Sequence, residues 1–336
     1  MFQFATLRAT AGNKLQAANS ISTMKYVLIT SARNEESFIA KTIDSVTAQT
    51  QLPEHWVIID DGSTDSTAEI VEDYASRHSW ISLIRRAHRP SRHFSGKARA
   101  VNAGFKFLGP MQFDIVGNLD ADVSFDPELM EFLMQKFSAD PQLGIAGVPY
   151  LEGDFDSARD SFEGENFVAG QVQLFRRRCF EEIGGYAKSR AGGVDWIAVM
   201  TARMKGWKVR SFAEKRFIHH RTMSTAERGL LAAYFSYGQK DYYLGGSPSW
   251  EIFRVAFRAM KKPFLIGAIA MGFGYCQAAL TRMERPVSQE LLRFHRNNQL
   301  KKLKKILGSL VRLKKVDNFH LETTKAKIFM EGNPKI

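Results

Sequence analysis

Asp114-Ile115-Val116-Gly117-Asn118-Leu119-Asp120-Ala121-Asp122-Val123 is the stretch on which the reading of the fold turns. The short apolar run of Ile115 and Val116 reads as a buried strand that ends in two carboxylates one residue apart. At strand spacing Asp120 and Asp122 point the same way, and two anions on one face repel unless a cation lies between them. A hard divalent ion that also binds phosphates meets that need. Taken alone, the pair also fits an ordinary polar strand end, so the flanking sequence has to decide.

Working upstream, Tyr26-Val27-Leu28-Ile29-Thr30 reads as a buried strand followed by the polar turn Ser31-Ala32-Arg33-Asn34-Glu35-Glu36. Ile39, Ile43 and Val46 then recur at helical spacing. Trp56-Val57-Ile58-Ile59 is a second strand that stops at Asp60-Asp61-Gly62-Ser63, and Ser66 with Glu69 has the form of a capping box for the next helix. Trp80 to Ile84 is a third strand, and Gly96-Lys97 opens a helix with Val101, Phe105 and Leu108 on one face. Downstream, Asp126-Pro127 has the signature of an N-cap and first helical residue. Strands alternating with helices predict an α/β fold around a mostly parallel sheet, whose ligands bind beyond the strand C-termini. Arg33-Asn34-Glu35, Asp60-Asp61 and Asp120/Asp122 all fall at such ends. Three polar clusters at one sheet edge strengthen the metal and phosphate reading.

These motifs in this order, with Gly96-Lys97-Ala98-Arg99-Ala100-Val101-Asn102-Ala103-Gly104 between them, resemble the family 2 glycosyltransferases of GT-A fold (a Rossmann-like, mostly parallel mixed sheet flanked by helices). The resemblance spans roughly residues 24 to 222. It implies a nucleotide-sugar donor, a Mg or Mn cation and inversion at the anomeric carbon. By the same resemblance Asp122 is a direct metal ligand, and Asp120 contacts the ribose or reaches the metal through water. Asp61 would bond the base, Ser31, Arg33 and Glu35 would line the nucleoside pocket, and Lys97 would face the donor phosphates. Lys97 is otherwise a surface lysine at a helix start.

In the second half, Phe167 to Phe175 alternates as a strand, and Gly192-Gly193-Val194-Asp195-Trp196 opens an amphipathic helix. The family places its general base here, usually an Asp preceded by Glu. Val194 stands in the Glu position, which leaves Asp195 as the candidate base. An acceptor hydroxyl becomes a competent nucleophile only as its proton leaves. Otherwise Asp195 caps its helix. Trp196 suits either a sugar face or the core. Lys208 to Phe217 reads as a strand leading to His219-His220-Arg221, where related enzymes complete the metal shell, and His219 is the favoured ligand.

Composition sets the wider frame. With 44% hydrophobic residues the chain can bury a sizeable core, and its two widely spaced cysteines, Cys179 and Cys276, exclude a disulfide framework and fit a reducing compartment. The net charge is +12, of which Thr281–Ile336 carries 14 Lys/Arg against 5 Asp/Glu, or 14 − 5 = +9. Residues 1–23 are expected to be a flexible extension, residues 24–225 a glycosyltransferase domain (24–122 the nucleotide half, 123–225 the acceptor half), and residues 226–336 a helical, basic, membrane-associated region. Pro263 to Thr281 is uncharged for 19 residues, but its glycines and its basic residues on both sides favour a segment lying in the cytosolic leaflet over a span. A leucine repeat from Leu300 with Lys301, Lys302, Lys304 and Lys305 opposite suits an anionic membrane surface, and no aromatic platform or zinc spacing points to nucleic acid.

The expected activity is therefore inverting, metal-dependent transfer from a nucleotide sugar to a hydroxyl of a lipid-linked or polymeric glycan at the cytoplasmic face of the membrane. A polyprenyl-phosphate acceptor and a nucleotidyl transfer of similar fold are the alternatives.

Overall fold

A computed structural model describes residues 24–87, 94–160, 164–189, 192–221, 229–260 and 264–311. The expected extension over residues 1–23 and the basic tail beyond 311 lie outside them. The chain runs β1 (Tyr26–Ala32), α1 (Ile39–Thr47), β2 (His55–Asp60), α2 (Thr67–Arg77), β3 (Ile81–Arg85), α3 (Phe94–Leu108), β4 (Ile115–Leu119), β5 (Val123–Phe125) and α4 (Leu129–Ala139). It continues through β6 (Leu143–Gly147), β7 (Tyr150–Glu152), β8 (Phe155–Asp156), α5 (Ser157–Asp160), β9 (Val172–Arg176), α6 (Arg177–Glu182), α7 (Val194–Met204), β10 (Lys208–Ser211) and β11 (Phe217–His219). The helical end comprises α8 (Leu230–Tyr243), α9 (Pro248–Ala259), α10 (Ile266–Leu280) and α11 (Gln289–Val311).

Seven strands form the main sheet in the order β10-β6-β9-β4-β1-β2-β3. β1, β2, β3 and β4 pair in parallel, as do β6 and β10, while β9 runs antiparallel between β4 and β6. The expected mostly parallel sheet is present. Its central strands read as unbroken apolar runs because helices cover both faces. Tyr26, Leu28, Trp56 and Ile58 face one core with Ile39, Ile43 and Val71, whereas Val27, Ile29, Val57 and Ile59 face the other with Ala98, Val101 and Val199.

Several local expectations shift. Ser66 makes no capping hydrogen bond; Asp65 Oδ1 instead accepts from the Thr67 backbone N–H (3.1 Å). α4 begins at Leu129 after the Asp126-Pro127 turn rather than within it. β9 covers only Val172–Arg176 because Gly170 and its neighbours leave the ladder to meet α7. The segment expected as one strand from Lys208 splits into β10 in the main sheet and β11 in a smaller sheet, ordered β5-β11-β7-β8.

α7 leads into the helical end by packing Ile197 and Met200 on Tyr243, Leu244, Leu291 and Leu292. The glycines of the uncharged segment serve helix packing. A Cβ on Gly238 would collide with the Met271 carbonyl, and one on Gly274 with the Phe235 carbonyl, so α8 and α10 cross with backbones in contact. Among the described residues no helix is long and apolar enough to cross a membrane.

Candidate active site at the carboxyl edge of the sheet

Parallel pairing brings the ends of β2, β1 and β4 side by side, which gathers Asp60-Asp61, the Ser31–Glu36 turn and Asp120-Asp122 at one edge. The first two loops are laced together by Asn34. It holds φ 55°, a left-handed backbone that Asn tolerates, and its Oδ1 accepts from the Thr64 N–H at 2.9 Å while its own N–H donates to Ser63 Oγ at 3.0 Å. Asp61 is buried, lies 3.7 Å from Arg86 Nη1, and faces Gly96, where a Cβ would sit 2.9 Å from Asp61 Oδ2. Its Oδ1, the atom that faces Arg86, is buried without a hydrogen bond. Ser31 pairs with Ile59 next to the last pair of β1, Ala32 with Asp60, and Arg33 follows in the turn.

The two carboxylates of the central stretch lie beyond the end of their strand. β4 ends at Leu119, so strand alternation does not reach Asp120 and Asp122, and each turns to its own partners. Asp120 Oδ1 takes the Lys97 ammonium at 2.5 Å, and Lys97 also donates to the Gly170 carbonyl at 3.3 Å. Asn118 Nδ2 donates to that same carbonyl. Lys97 is thus half-buried and committed to Asp120, not a loose surface residue.

Asp122 faces β11. Its Oδ2 is 3.5 Å from His219 Nε2 and 3.3 Å from Arg221 Nε, while His219 Nδ1 meets Glu152 Oε2 at 2.9 Å. Burial acts to raise the Asp122 carboxyl, but His219, Arg221 and Lys97 outweigh it and hold the group below its ordinary value. Burial alone would lower His219; the two carboxylates overcome it and push the imidazole up to about 9. Glu35 is buried, with its carboxylate on Arg221 Nη2 and its N–H on Thr67 Oγ1 at 2.7 Å. His220 turns away, stacking on Phe38 and bonding Ser124 Oγ at 2.8 Å.

Two neighbouring ligands of one small divalent ion, each about 2.1 Å from it, stand about 3 Å apart. The 3.5 Å gap between Asp122 Oδ2 and His219 Nε2 is close to that span, so this pair fits a metal. Among the described residues no group of three or more His, Cys, Asp or Glu side chains is disposed to hold an ion. The other coordination positions would have to come from substrate phosphates or water.

Asp195 enters the site at the start of α7, behind Gly193 at φ 74°. Its carboxylate packs on Gly170, where a Cβ would lie 2.7 Å from Asp195 Cβ. On its other side opens a cavity of about 460 Å³, walled by α7, α8, α9 and α11 and including Asp195, Trp196, Tyr237, Trp250 and His295. Trp196 lines this cavity and meets His295 edge-on at 4.6 Å between ring centroids.

Arg221, Glu152 and Gly170 carry no role in the sequence reading. Arg221 was within view, next to the His pair, but its partners are remote in sequence.

Residues 27–191 match the model of glycosyl transferase family 2. The poly-beta-1,6-N-acetyl-D-glucosamine synthase of Staphylococcus epidermidis is 32% identical over 170 residues, covering 45% of this chain and 39% of that protein. The Staphylococcus aureus (strain COL) synthase is 32% identical over 119 residues, covering 35% of this chain and 27% of its own. The chain thus spans well under two thirds of these relatives. Among solved structures, a mannosyltransferase from Pyrobaculum calidifontis in complex with GDP-Man and Mn2+ aligns with TM-score 0.51 at 18% identity, over 93% of this chain and 89% of that one. S. aureus TarS 1–349 in complex with UDP-GlcNAc aligns with TM-score 0.51 at 13% identity, over 90% and 92%. At such identities the likeness is one of fold, and it extends over the helical end as well. Residues 27–191 thus carry a glycosyl transferase family 2 segment, and the chain is built on a GT-A fold.

Proposed function

We propose that the protein transfers a sugar, with inversion, from a nucleoside-diphosphate donor to a hydroxyl of a lipid-linked or polymeric glycan. The observation that carries this reading is the Gly170 junction. Its carbonyl anchors Lys97, which holds Asp120 at the donor side, while its bare Cα receives Asp195 at the mouth of the cavity. Donor and acceptor groups are thereby locked in one frame, as positioning of two reactants requires.

In this reading Asp61 accepts from the nucleobase, with Ser31 and Arg33 lining the same pocket, and Gly96 leaves room for the Asp61 carboxylate. Asp122 and His219 would hold the Mg or Mn ion, with Asp120 outside the direct shell. The ion, when bound, neutralises charge building on the departing diphosphate. Lys97 adds a fixed positive charge at the same edge. Asp195 takes the proton of the acceptor hydroxyl as attack begins; its carboxylate makes no hydrogen bond or ion pair among the described residues that would compete. Trp196 forms a wall of the acceptor cavity.

Membrane attachment is part of the proposal. α10 buries Ala268, Met271 and Tyr275 but leaves Ile266, Ile269, Phe273 and Leu280 exposed, beside exposed Phe264, Leu265 and Ile252. An apolar patch of this extent suits the interface of a cytoplasmic leaflet, and the basic sequence beyond it suits anionic lipid.

A thermal-shift screen of nucleoside diphosphates and nucleotide sugars with Mn²⁺ or Mg²⁺ tests the donor half, since only a bound ligand stabilises. Asp195→Asn tests the other half: nucleotide binding should persist while transfer to a hydroxyl falls by at least a hundredfold. Full turnover in that variant would remove Asp195 as the base and favour a phosphate acceptor.

A further inference from the structure

β11 lies between two strands of the smaller sheet, and a carboxylate reaches His219 from each side. Antiparallel pairing with β5 sets His219 opposite Val123, so Asp122 is the adjoining residue, and the His220 N–H donates to the Asp122 carbonyl at 2.8 Å. Parallel pairing with β7 sets Phe217 opposite Tyr150 and Ile218 opposite Leu151, which brings Glu152 level with His219. Alternation puts Phe217 and His219 on one face of β11 and Tyr150 and Glu152 on the matching face of β7, while Ile218 is exposed on the other. The pairing of Glu152 with Phe155 of β8 pins the row from its far side. Backbone register thus lines up Asp122, His219 and Glu152, which are remote in sequence.

The imidazole uses its two nitrogens differently. Nδ1 meets Glu152 Oε2 at 2.9 Å, a full hydrogen bond, whereas the contact of Nε2 with Asp122 Oδ2 is longer, at 3.5 Å. A ring nitrogen that donates its proton has no lone pair to offer an ion, so a bond from Nδ1–H to Glu152 leaves Nε2, on the Asp122 side, as the coordinating atom. Tyr150 meets the ring edge-on at 6.1 Å between centroids and steadies its plane. Glu152 is largely buried and bonds the nitrogen that points away from Asp122, so it acts on the ring and not on an ion at Nε2. A carboxylate in that place also makes the imidazole a stronger electron-pair donor.

From this geometry we infer that Glu152 is a positioning residue of the metal site: it holds the Nδ1–H of His219 and thereby presents Nε2, beside Asp122, to the divalent cation. The inference rests on the reading above in which Asp122 and His219 hold that ion. The rival role is an ion pair that only ties β7 to β11, and removing it would lower the melting temperature without changing ion affinity.

Mn²⁺ alone, titrated into the full chain with the free ion followed by electron paramagnetic resonance, tests it. Glu152→Gln keeps the shape of the side chain and removes its charge; it should weaken Mn²⁺ binding at least tenfold, the usual cost of losing such a partner of a metal-binding histidine. His219→Gln should weaken binding as well. Adding Glu152→Gln to that variant should change nothing more, because a residue that works through His219 has no effect once the imidazole is gone. Parent or tighter affinity in Glu152→Gln overturns the inference, as does an equal further loss in the double variant. Glu152→Asp keeps the charge but stops one methylene short, and it carries the test should Glu152→Gln not fold: a smaller loss is expected, and parent affinity overturns the inference. The underlying reading is judged separately. If the parent chain binds no Mn²⁺ that Asp122→Asn abolishes, the metal assignment itself fails and the role of Glu152 falls with it.

Discussion

Gly170 and Asp195 are in direct contact: a Cβ at 170 would stand 2.7 Å from Asp195 Cβ and 3.0 Å from its Oδ2. Gly170 is therefore required for its lack of a side chain, because the candidate base occupies the volume a methyl group would need. Its carbonyl meanwhile receives Lys97 and Asn118. A Gly170→Ala change should push Asp195 out of place and strain both bonds. The expected loss is about 1–3 kcal/mol of stability, typical of overpacking. Transfer should fall at least tenfold at unchanged nucleotide affinity, because a small misplacement of a reacting group is costly. Kinetics paired with a nucleotide titration would separate these effects, and equal losses in both would place the damage elsewhere.

Arg221 is the group that bridges Glu35 and Asp122, two carboxylates that are both largely buried. Removing one partner of such a cluster leaves uncompensated charge inside. Arg221 is itself 38% exposed, so the full buried-pair penalty does not apply, and Arg221→Ala should cost about 1–2 kcal/mol. Mn²⁺ should recover part of that loss by replacing the lost positive charge beside Asp122. Asp122→Asn should abolish any stabilisation by Mn²⁺. A variant Arg221→Ala whose melting temperature ignores Mn²⁺ would argue that Asp122 does not hold the ion.

How far the site can be read from residues alone follows from what is local and what is not. β1, β2 and β4 are legible because each is an apolar run that stops at a carboxylate or polar turn, and parallel pairing then aligns their ends. The start of α7 is legible because two glycines precede it, whereas Asp195 is singled out there only by the family resemblance. Partnerships are different. Arg221 meets Glu35 across 186 residues, and Lys97 meets the Gly170 carbonyl across 73. No spacing rule links such pairs, which depend on where β11 and the Gly170 loop come to rest. The separate partners of Asp120 and Asp122 are not legible from strand alternation for a related reason. The rule holds within a strand, and β4 had already ended.

His295 supplies a pH test. Its folded value of about 4 lies below the ordinary 6.5, chiefly through burial and then through Arg203 and Arg296. The unfolded chain therefore binds the proton more readily, so stability is full above pH 6.5 and is lost as pH falls toward 4. Between pH 7 and pH 5 this one group should cost about 2 kcal/mol. Denaturant melts of His295→Gln should show a correspondingly shallower pH dependence than the parent chain. Identical slopes would mean that His295 binds its proton equally in the folded and the unfolded chain.

The exposed face of α10 gives the last prediction. Ile269 and Phe273 lie one turn apart on that face, away from the Gly274 and Ala278 side that packs inward. Each contributes about 1.5–3 kcal/mol if buried in an apolar phase. Replacing both with Glu should weaken co-sedimentation with anionic liposomes at least tenfold; Ile269→Glu alone, which keeps the Phe235–Phe273 ring contact between α8 and α10, should weaken it in the same direction. Raising salt to 1 M should weaken the attachment further only if basic residues share in it, since screening acts on charge and leaves apolar burial intact. Equal co-sedimentation of parent and double variant would move the attachment surface off α10.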